Sequence, residues 1–403
     1  MRAMTNGWTG GQYSIYRVIF GAYLLVHFAL LIPWGGELFS RDGVLPDASA
    51  SPLTRLFPNV LGVADYPGVV LTMLVMATVG ACFFAVGFYD RTAAFVIWYV
   101  LACTFGRNPL IANPALPFVG WLLLAHLFIP PAPYGSFSAR KRVDPRGGWV
   151  MPPGIFTAAW IVMAAGYTYS GYTKLVSPSW VDGTGFARVL ANPLARPTPL
   201  RDIFMSLPDV LLSIATWGTL AFELLFAPLA LFRSARPWIW TAMLAMHFGL
   251  MTLIDFADLS FGMIVMHLFT FDPAWVPAFA PQRRDRVLYD GTCGLCHRAV
   301  RFILAEDRAG TFTFAPLPAD MPQESVVVEK EDGTRLQRSG AVLYVAARLG
   351  GMWRVISMVM RVVPRPARDL AYDLVARWRY RLFKRPSEAC PILPPDLRSR
   401  FTI

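Results

Sequence analysis

Long apolar runs, separated by short polar breaks, fill the chain from its start to about residue 280. A helix needs about 20 consecutive, mostly apolar residues to cross the hydrocarbon core of a bilayer. Eight stretches approach that length, the third and the eighth being short: 13–34, 67–88, 92–106, 113–131, 152–174, 208–232, 237–255 and 258–272. This pattern predicts a polytopic α-helical membrane bundle of about eight spans.

The pattern changes after residue 285. A short apolar run at 286–289 predicts a strand, 295–305 has a helical period, and 311–315 predicts a second strand. Two further runs flank Glu331-Asp332-Gly333, a sequence typical of a β-hairpin turn. Helical patterns follow at about 339–349, 353–362 and 366–383. The order strand, helix, strand, hairpin and helix predicts a small α/β domain of thioredoxin-like type.

These patterns divide the chain into three parts. Residues 1–272 form the predicted transmembrane domain, 273–284 form a proline-rich linker, and 285–403 form the α/β domain. The last helical pattern is rich in arginine and aromatic residues, and it fits either a solvated basic face or a face on anionic headgroups.

Composition and charge support a membrane protein. Hydrophobic residues make up 55% of the chain and charged residues only 16%, against about 25% in soluble domains. The net charge of +11 would suit nucleic acid, but the basic residues flank the apolar runs, where they set orientation in a bilayer. We therefore expect no nucleic-acid partner and a lipid bilayer instead.

The distribution of basic residues also predicts the orientation. With the N-terminus inside, the inside loops are richer in Arg and Lys, most clearly at 140–146. An even number of spans then leaves the C-terminal domain in the cytoplasm. We expect an integral protein of a bacterial inner membrane with this topology.

The candidate chemistry of the tail is a pair of cysteines, Cys293 and Cys296, placed where the predicted strand turns into the predicted helix. Free backbone N–H groups and the dipole at a helix N-terminus stabilise a thiolate, which is the form that attacks disulfides. Two intervening residues let both sulfurs meet across one helical turn. We expect Cys293, at the exposed start of the helix, to attack and Cys296 to resolve the mixed disulfide.

Three other interpretations of this pair stay open. The pair could be half of a zinc site completed by His297 and Cys390. The string Cys-Gly-Leu-Cys-His also matches covalent haem attachment. Finally, both cysteines could be inert. The sequence predicts no metal ligand set beyond the zinc alternative.

The tail resembles the DCC family of predicted thiol-disulfide oxidoreductases over about 285–403. The similarity lies in these residues, in family order: Tyr289-Asp290-Gly291-x-Cys293-x-x-Cys296, Arg338-Ser339-x-Ala341, Gly350-Gly351-x-Trp353, Pro364, Tyr372, Arg377, Arg381 and Cys390-Pro391. Gly340 departs from the family, in which an acidic residue is commoner. The resemblance implies a thioredoxin-like fold and a redox role for the two cysteines of the motif. It also implies that Asp290 and Gly291, after Tyr289, shape the turn.

The role of Asp290 is open at this point. Its carboxylate could accept the proton of the resolving thiol, or it could cap the helix at Thr292.

Ionisable residues within the apolar runs give a second set of candidates. Lys174 ends its span, where a lysine usually extends its ammonium group to the interface. Glu223 and His247 lie deep in theirs, where an ionisable group is costly and faces a cavity or a partner. The two could pair with each other across neighbouring helices.

Most of residues 10–272 resemble the HTTM membrane domain, which is similar to the vitamin K-dependent γ-glutamyl carboxylase. The residues that carry the resemblance are the stretch 171–183, which includes Gly171 and Trp180, together with Arg107-Asn108 and the spans of Glu223 and His247. Lys174 falls where the carboxylase has the lysine that deprotonates the vitamin K hydroquinone. The chain lacks the large lumenal domain of the carboxylase. The resemblance implies a pocket around Lys174, facing the outer side, for a quinone or another lipid-like molecule. The sequence indicates no other cofactor.

The sequence thus predicts a membrane-anchored protein-disulfide reductase that uses a CxxC dithiol on a thiol or disulfide substrate, protein or small molecule, and is coupled to a quinone-like ligand. One alternative is a carboxylase- or epoxidase-like membrane enzyme with Lys174 as base. Another is a non-enzymatic transporter or protective protein with a redox-sensing tail.

Overall fold

The computed structural model describes residues 6–111, 113–138, 145–278, 284–318, 326–382 and 395–402. The basic cluster at 140–142, part of the predicted linker, and Cys390 with Pro391 lie outside these residues. The described residues form two compact units. One holds Tyr16–Ile129 and Pro152–Phe271, and the other the described parts of Thr5–Ile15, Pro130–Met151 and Asp272–Ile403. The division of the sequence into membrane domain, linker and tail stays a prediction.

The first unit is helical, and helices occupy each of the eight apolar stretches. In chain order the helices are α1 (Gly10–Leu31), α2 (Gly35–Phe39), α3 (Pro67–Val86), α4 (Asp90–Arg107), α5 (Leu116–His126), α6 (Pro153–Lys174), α7 (Pro178–Val181), α8 (Gly185–Leu190), α9 (Pro199–Met205), α10 (Asp209–Ala230), α11 (Arg236–Leu253) and α12 (Ala257–Thr270). The first residues of α1 belong to the second unit.

Three helical segments of the described chain are long and apolar enough to cross a membrane: Gly10–Phe39, Pro67–Val86 and Asp209–Ala230. The prediction of eight spans is not supported. Helices α5 and α12 are too short, and α4 carries charges at both of its ends. The lengths and compositions therefore indicate membrane association through three candidate spans.

A glycine sets the approach of α6 to α10. A Cβ atom built on Gly171 would lie 2.8 Å from the backbone nitrogen of Leu224 and 3.0 Å from the Cβ of Glu223. Real side chains do not approach a backbone so closely, so only glycine allows this contact. The close approach brings Lys174, at the end of α6, level with Glu223 on α10.

The second unit contains a small mixed sheet and its helices. The strands are β1 (Asp285–Tyr289), β2 (Phe312–Pro316), β3 (Val327–Glu329) and β4 (Arg335–Gln337), and the helices are α13 (Gly294–Glu306), α14 (Arg338–Leu349), α15 (Gly351–Met360), α16 (Arg365–Leu382) and α17 (Pro395–Arg398). The strand order is β2-β1-β3-β4, with β1 parallel to β2 and antiparallel to β3. The hairpin predicted around Glu331-Asp332-Gly333 is confirmed as β3 and β4.

The core of this sheet explains its sequence. Alternate residues of the strands turn to one face, so Val287, Phe312 and Phe314 pack on Val300 of α13 and Ala341 of α14. The parallel connection from β1 to β2 runs through α13, which lies over the sheet. The start of α13, and with it the cysteine pair, is thereby fixed at the end of β1.

Candidate functional site

The loop between β1 and α13 is held by the carboxylate of Asp290. Its Oδ1 accepts hydrogen bonds from the backbone N–H and from the hydroxyl of Thr292, both at 2.8 Å. The backbone N–H of Cys293 donates to the carbonyl oxygen of Asp290 at 3.3 Å. This arrangement favours the interpretation that Asp290 shapes the turn, and the carboxylate is buried.

The two cysteines take different positions at the start of α13. Cys293 is the N-cap residue in an extended conformation, and its side chain makes no capping hydrogen bond. It is fully buried, with 0% exposure, whereas Cys296 is half-buried against the core of the sheet. The expectation that Cys293 is exposed is therefore wrong: the turn folds the N-cap side chain inward and leaves the residue one turn later nearer to solvent.

The thiol of Cys296 holds its proton tightly. Its pKa is raised to about 12, mainly by burial and then by the hydrogen bond and charge of the neighbouring Cys293 sulfur. Arg379 and the backbone of Asp290 act in the opposite direction. Cys296 is therefore a protonated thiol at neutral pH, and a thiol of this kind can donate a hydrogen bond to a neighbouring sulfur.

The residues beside the pair brace the loop. The imidazole Nε2 of His297 lies 2.8 Å from the carbonyl oxygen of Gly291, and the ring meets Tyr289 edge-on at a centroid distance of 5.7 Å. Tyr289 itself is buried in the core. Within the described ranges no group of three or more His, Cys, Asp or Glu side chains could hold a metal ion. Cys390, which the zinc alternative needs, lies outside them.

A buried arginine from α16 completes the site. A terminal nitrogen of Arg379 lies 3.5 Å from Oδ2 of Asp290, with both side chains almost fully buried. The hydroxyl of Tyr372, on the same helix, accepts a hydrogen bond from the backbone N–H of Val326 at 2.9 Å. Helix α16 thus carries a cation to the loop that holds the cysteines, and this cation favours the thiolate form of Cys296.

We expect Arg379→Met to slow the alkylation of Cys296 several-fold between pH 8 and 10. Loss of the guanidinium removes the group that lowers the pKa of this thiol, so less thiolate is present at each pH. Mass spectrometry of iodoacetamide-treated full-length protein, followed as a function of pH, measures the rate at Cys296. Arg377→Met is the matched control, because Arg377 lies on the same helix but is exposed. Equal rates in both variants would contradict the role of Arg379.

The ionisable residues of the first unit form a second candidate site. The Lys174 ammonium donates to Oε2 of Glu223 at 2.6 Å and to the hydroxyl of Ser170 at 2.8 Å. It also lies 5.0 Å from the ring centre of Trp180. The ammonium group of Lys174 is thus held by partners within the protein. A lysine at the end of an apolar span usually extends this group to the interface instead.

A cavity of about 860 Å³ opens over this ion pair. Its wall is apolar apart from a few groups, and it includes Lys174, Glu223, Trp180 and His247. Gly171 does not line it but sets the helix spacing that brings Lys174 and Glu223 together. Four of the residues singled out from the sequence therefore meet in one pocket, of the size and character of a small-molecule site.

His247 does not pair with Glu223, so that expectation is wrong. Its Nε2 lies 2.8 Å from the hydroxyl of Tyr167, and the same hydroxyl lies 3.4 Å from Nε2 of His267. Glu223 turns instead to Lys174, because the close approach at Gly171 presents it to the end of α6. Tyr167 was not foreseen from the sequence, although it lies seven residues, or two helical turns, before Lys174 on the same face.

Comparison with known proteins identifies the tail. A family model described as DCC1-like thiol-disulfide oxidoreductase matches residues 287–385. The chain is 32% identical over 127 residues to the uncharacterized protein YuxK of Bacillus subtilis (strain 168), covering 28% of this chain and 91% of YuxK. It is 27% identical over 127 residues to the chloroplastic DCC family protein At1g52590 of Arabidopsis thaliana, covering 28% of this chain and 73% of that protein. No solved structure matches the chain.

Proposed function

The chain belongs, through its C-terminal region, to the DCC1-like thiol-disulfide oxidoreductase family, and on this basis we propose that it exchanges thiols and disulfides through Cys293 and Cys296. The observation that carries the proposal is the placement of both cysteines at the N-terminus of α13, Cys293 as the N-cap residue and Cys296 in the first turn, where the two thiols interact. There the helix dipole stabilises one thiolate while the second thiol stays protonated.

In the proposed reaction the Cys293 thiolate attacks one sulfur of a substrate disulfide. The substrate S–S bond breaks, a mixed disulfide forms, and one substrate thiolate leaves. Cys296 then loses its proton and attacks the Cys293 sulfur, so the second substrate thiolate leaves and takes up a proton. Two electrons pass from the dithiol to the substrate, and a Cys293–Cys296 disulfide remains. An external dithiol restores the reduced pair.

The sheet order supports a thioredoxin-like domain. A parallel β1–β2 pair joined by α13, followed by an antiparallel hairpin on the other side of β1, is the arrangement that the proposed fold requires. The same arrangement sets the cysteines at the end of the central strand β1. The hypothesis that the tail is a protein-disulfide reductase rests on this placement.

For the apolar helices we propose an HTTM-type membrane domain with the redox domain on the cytoplasmic side. The three helical segments that are long and apolar enough to span a membrane support a membrane domain. The cavity at Lys174 and Glu223 supports a site for a quinone-like lipid, which has an apolar body and polar oxygens. Coupling would oxidise the dithiol to the disulfide and reduce the quinone to the hydroquinone, with two electrons and two protons transferred.

A second candidate function is favoured by the same cavity. A carboxylase- or epoxidase-like enzyme would use Lys174 as the base toward a bound hydroquinone. The observation that favours this candidate is the ion pair with Glu223, whose carboxylate can take up the proton of the Lys174 ammonium group. In the non-enzymatic alternative, a transporter or protective protein, the dithiol would only sense the redox state.

We expect the purified full-length protein to catalyse the reduction of insulin disulfides by dithiothreitol. The precipitation of the reduced B chain gives the rate, and a Cys82→Ala variant is the control because Cys82 is an exposed thiol outside the site. The control should match the unsubstituted protein. A rate no higher than that of dithiothreitol alone would reject the reductase and favour the non-enzymatic alternative.

A further inference from the structure

Helix α16 presents its polar side to the redox domain. The hydroxyl of Ser339 donates to Asp369, Tyr372 accepts from the backbone of Val326, and Arg379 meets Asp290. These residues of α16 recur about every third or seventh position, so they share one side of the helix. The inward side of α16 is therefore the polar one.

The outer face of α16 is apolar. Leu370, Leu374 and Trp378 follow each other at intervals of four residues and form one stripe, with Val375 beside it. All four are exposed, Leu370 to 70%. A surface helix of a soluble domain normally turns its apolar stripe to the core. The reversed arrangement leaves this face without a partner among the described residues.

The apolar surface continues into the preceding helix and turn. Met358 and Val359, at the end of α15, are exposed, and Val362 in the connection to α16 is exposed to 84%. Exposed apolar residues that lie so close together in the chain mark a site of contact with protein or membrane. We call the exposed residues Met358, Val359, Val362, Leu370, Leu374, Val375 and Trp378 the α15–α16 surface.

Cations surround this surface. Residues 351–382 contain seven arginines and two aspartates. Arg361, Arg365, Arg377 and Arg381 are exposed, and the guanidinium of Arg381 lies 5.2 Å from the ring centre of Trp378. An apolar stripe with an indole ring and flanking arginines has the composition of a helix that lies in a membrane interface. Each arginine near an anionic leaflet adds to the attraction.

We propose that the α15–α16 surface docks on an anionic lipid bilayer, with its apolar residues in the interfacial layer and its arginines on the lipid phosphates. The same chain carries three helices apolar enough to span a membrane, so a bilayer is always within reach of the tail. The net positive charge distinguishes this occupant from an apolar protein partner, which would gain nothing from the arginines. Docking would hold the cysteine pair close to the membrane surface.

Photo-crosslinking of the full-length chain in vesicles tests the proposal. The photoreactive residue p-benzoylphenylalanine replaces Leu374, and the matched control places it at Asp332, in the exposed β3–β4 turn. The protein is reconstituted in phosphatidylcholine vesicles with or without phosphatidylglycerol, and mass spectrometry identifies the cross-linked species. We expect lipid adducts at position 374 in the anionic vesicles, several-fold fewer in the neutral ones, and none above background at position 332.

A charge variant separates the two parts of the proposal. Arg361→Gln, Arg377→Gln and Arg381→Gln together should reduce the lipid adducts at position 374 several-fold, and circular dichroism should show unchanged helix content because all three side chains are exposed. Equal adduct yields in neutral and anionic vesicles would overturn the assignment to anionic lipid. Adducts to a second copy of the chain instead of lipid, or no adducts at all, would overturn docking on the bilayer.

Discussion

Cys296→Ser is expected to stall the protein as a mixed disulfide through Cys293, whereas Cys293→Ser removes the exchange altogether. In the first variant the attacking thiolate is still present, but no thiol is left to displace the substrate. In the second, the remaining thiol is the one whose pKa burial raises, so it supplies little thiolate at neutral pH. Turnover should fall to the level of the buffer in both variants. Non-reducing gel electrophoresis after incubation with a disulfide substrate detects the trapped species.

This pair of variants decides between two physical effects. The helix N-terminus and the protonated Cys296 favour Cys293 as the attacker, but Cys293 is buried and Cys296 is the more accessible. If accessibility outweighs thiolate stability, Cys293→Ser will be the variant that traps the substrate. That result would reverse the assigned roles. A Cys103→Ser variant is the matched control, since Cys103 is a buried thiol elsewhere in the chain.

The strands of the tail and most of its helices could be predicted because their signals are local. Helices α13 to α16 each begin within two residues of the predicted position, because Gly350 and Pro364 mark helix boundaries and the Glu331-Asp332-Gly333 turn fixes the hairpin, whereas the short α17 was not predicted. The spans could not be counted in the same way. An apolar run shows that a helix is buried in something apolar, and a short helix such as α5 can bury the same residues in protein or in lipid.

The two sites differ in how much the sequence revealed. The spacing in the sequence reveals the Cys293–Cys296 pair. It does not reveal that Cys293 is buried, because that burial follows from the three-dimensional shape of the turn held by Asp290. The sequence places Arg379 on the last helix with Arg377 and Arg381 but does not assign it to the site, because only the helical phase shows which arginine faces inward. Likewise, the sequence shows that Glu223 and His247 each place an ionisable group inside an apolar run, where such a group is energetically costly. Their true partners, Lys174 and Tyr167, depend on how closely two helices approach.

Lys174→Met and Glu223→Leu are each expected to destabilise the protein by about 3–5 kcal/mol, while the two substitutions together restore most of the loss. Removing one partner leaves the other as an uncompensated charge beside an apolar cavity, whereas removing both leaves apolar groups of similar volume. The side chains are 21% and 6% exposed, so water screens the pair only weakly. Thermal unfolding of the detergent-solubilised full-length protein gives the four values of the double-mutant cycle.

A second ion pair of the same chain provides the control. Arg196 and Asp255 meet at 3.0 Å, but their side chains are 38% and 76% exposed. Breaking this pair with Arg196→Met should cost about 1 kcal/mol or less, because exposed pairs contribute little. If Lys174→Met destabilises the protein by no more than Arg196→Met does, the Lys174–Glu223 ion pair is solvated. That result would contradict a structural role of the pair.

Binding of a short-chain quinone to the double variant then separates support of the fold from contact with the ligand. The Lys174→Met, Glu223→Leu protein should be folded, so any loss of quinone binding reports the missing ammonium and carboxylate and not a collapsed cavity. We expect binding to weaken strongly, because these two groups are the charged side chains in the described wall of the cavity. Unchanged binding would leave the ion pair a structural one and would remove the support for Lys174 as a base, since a base must contact the molecule that it deprotonates.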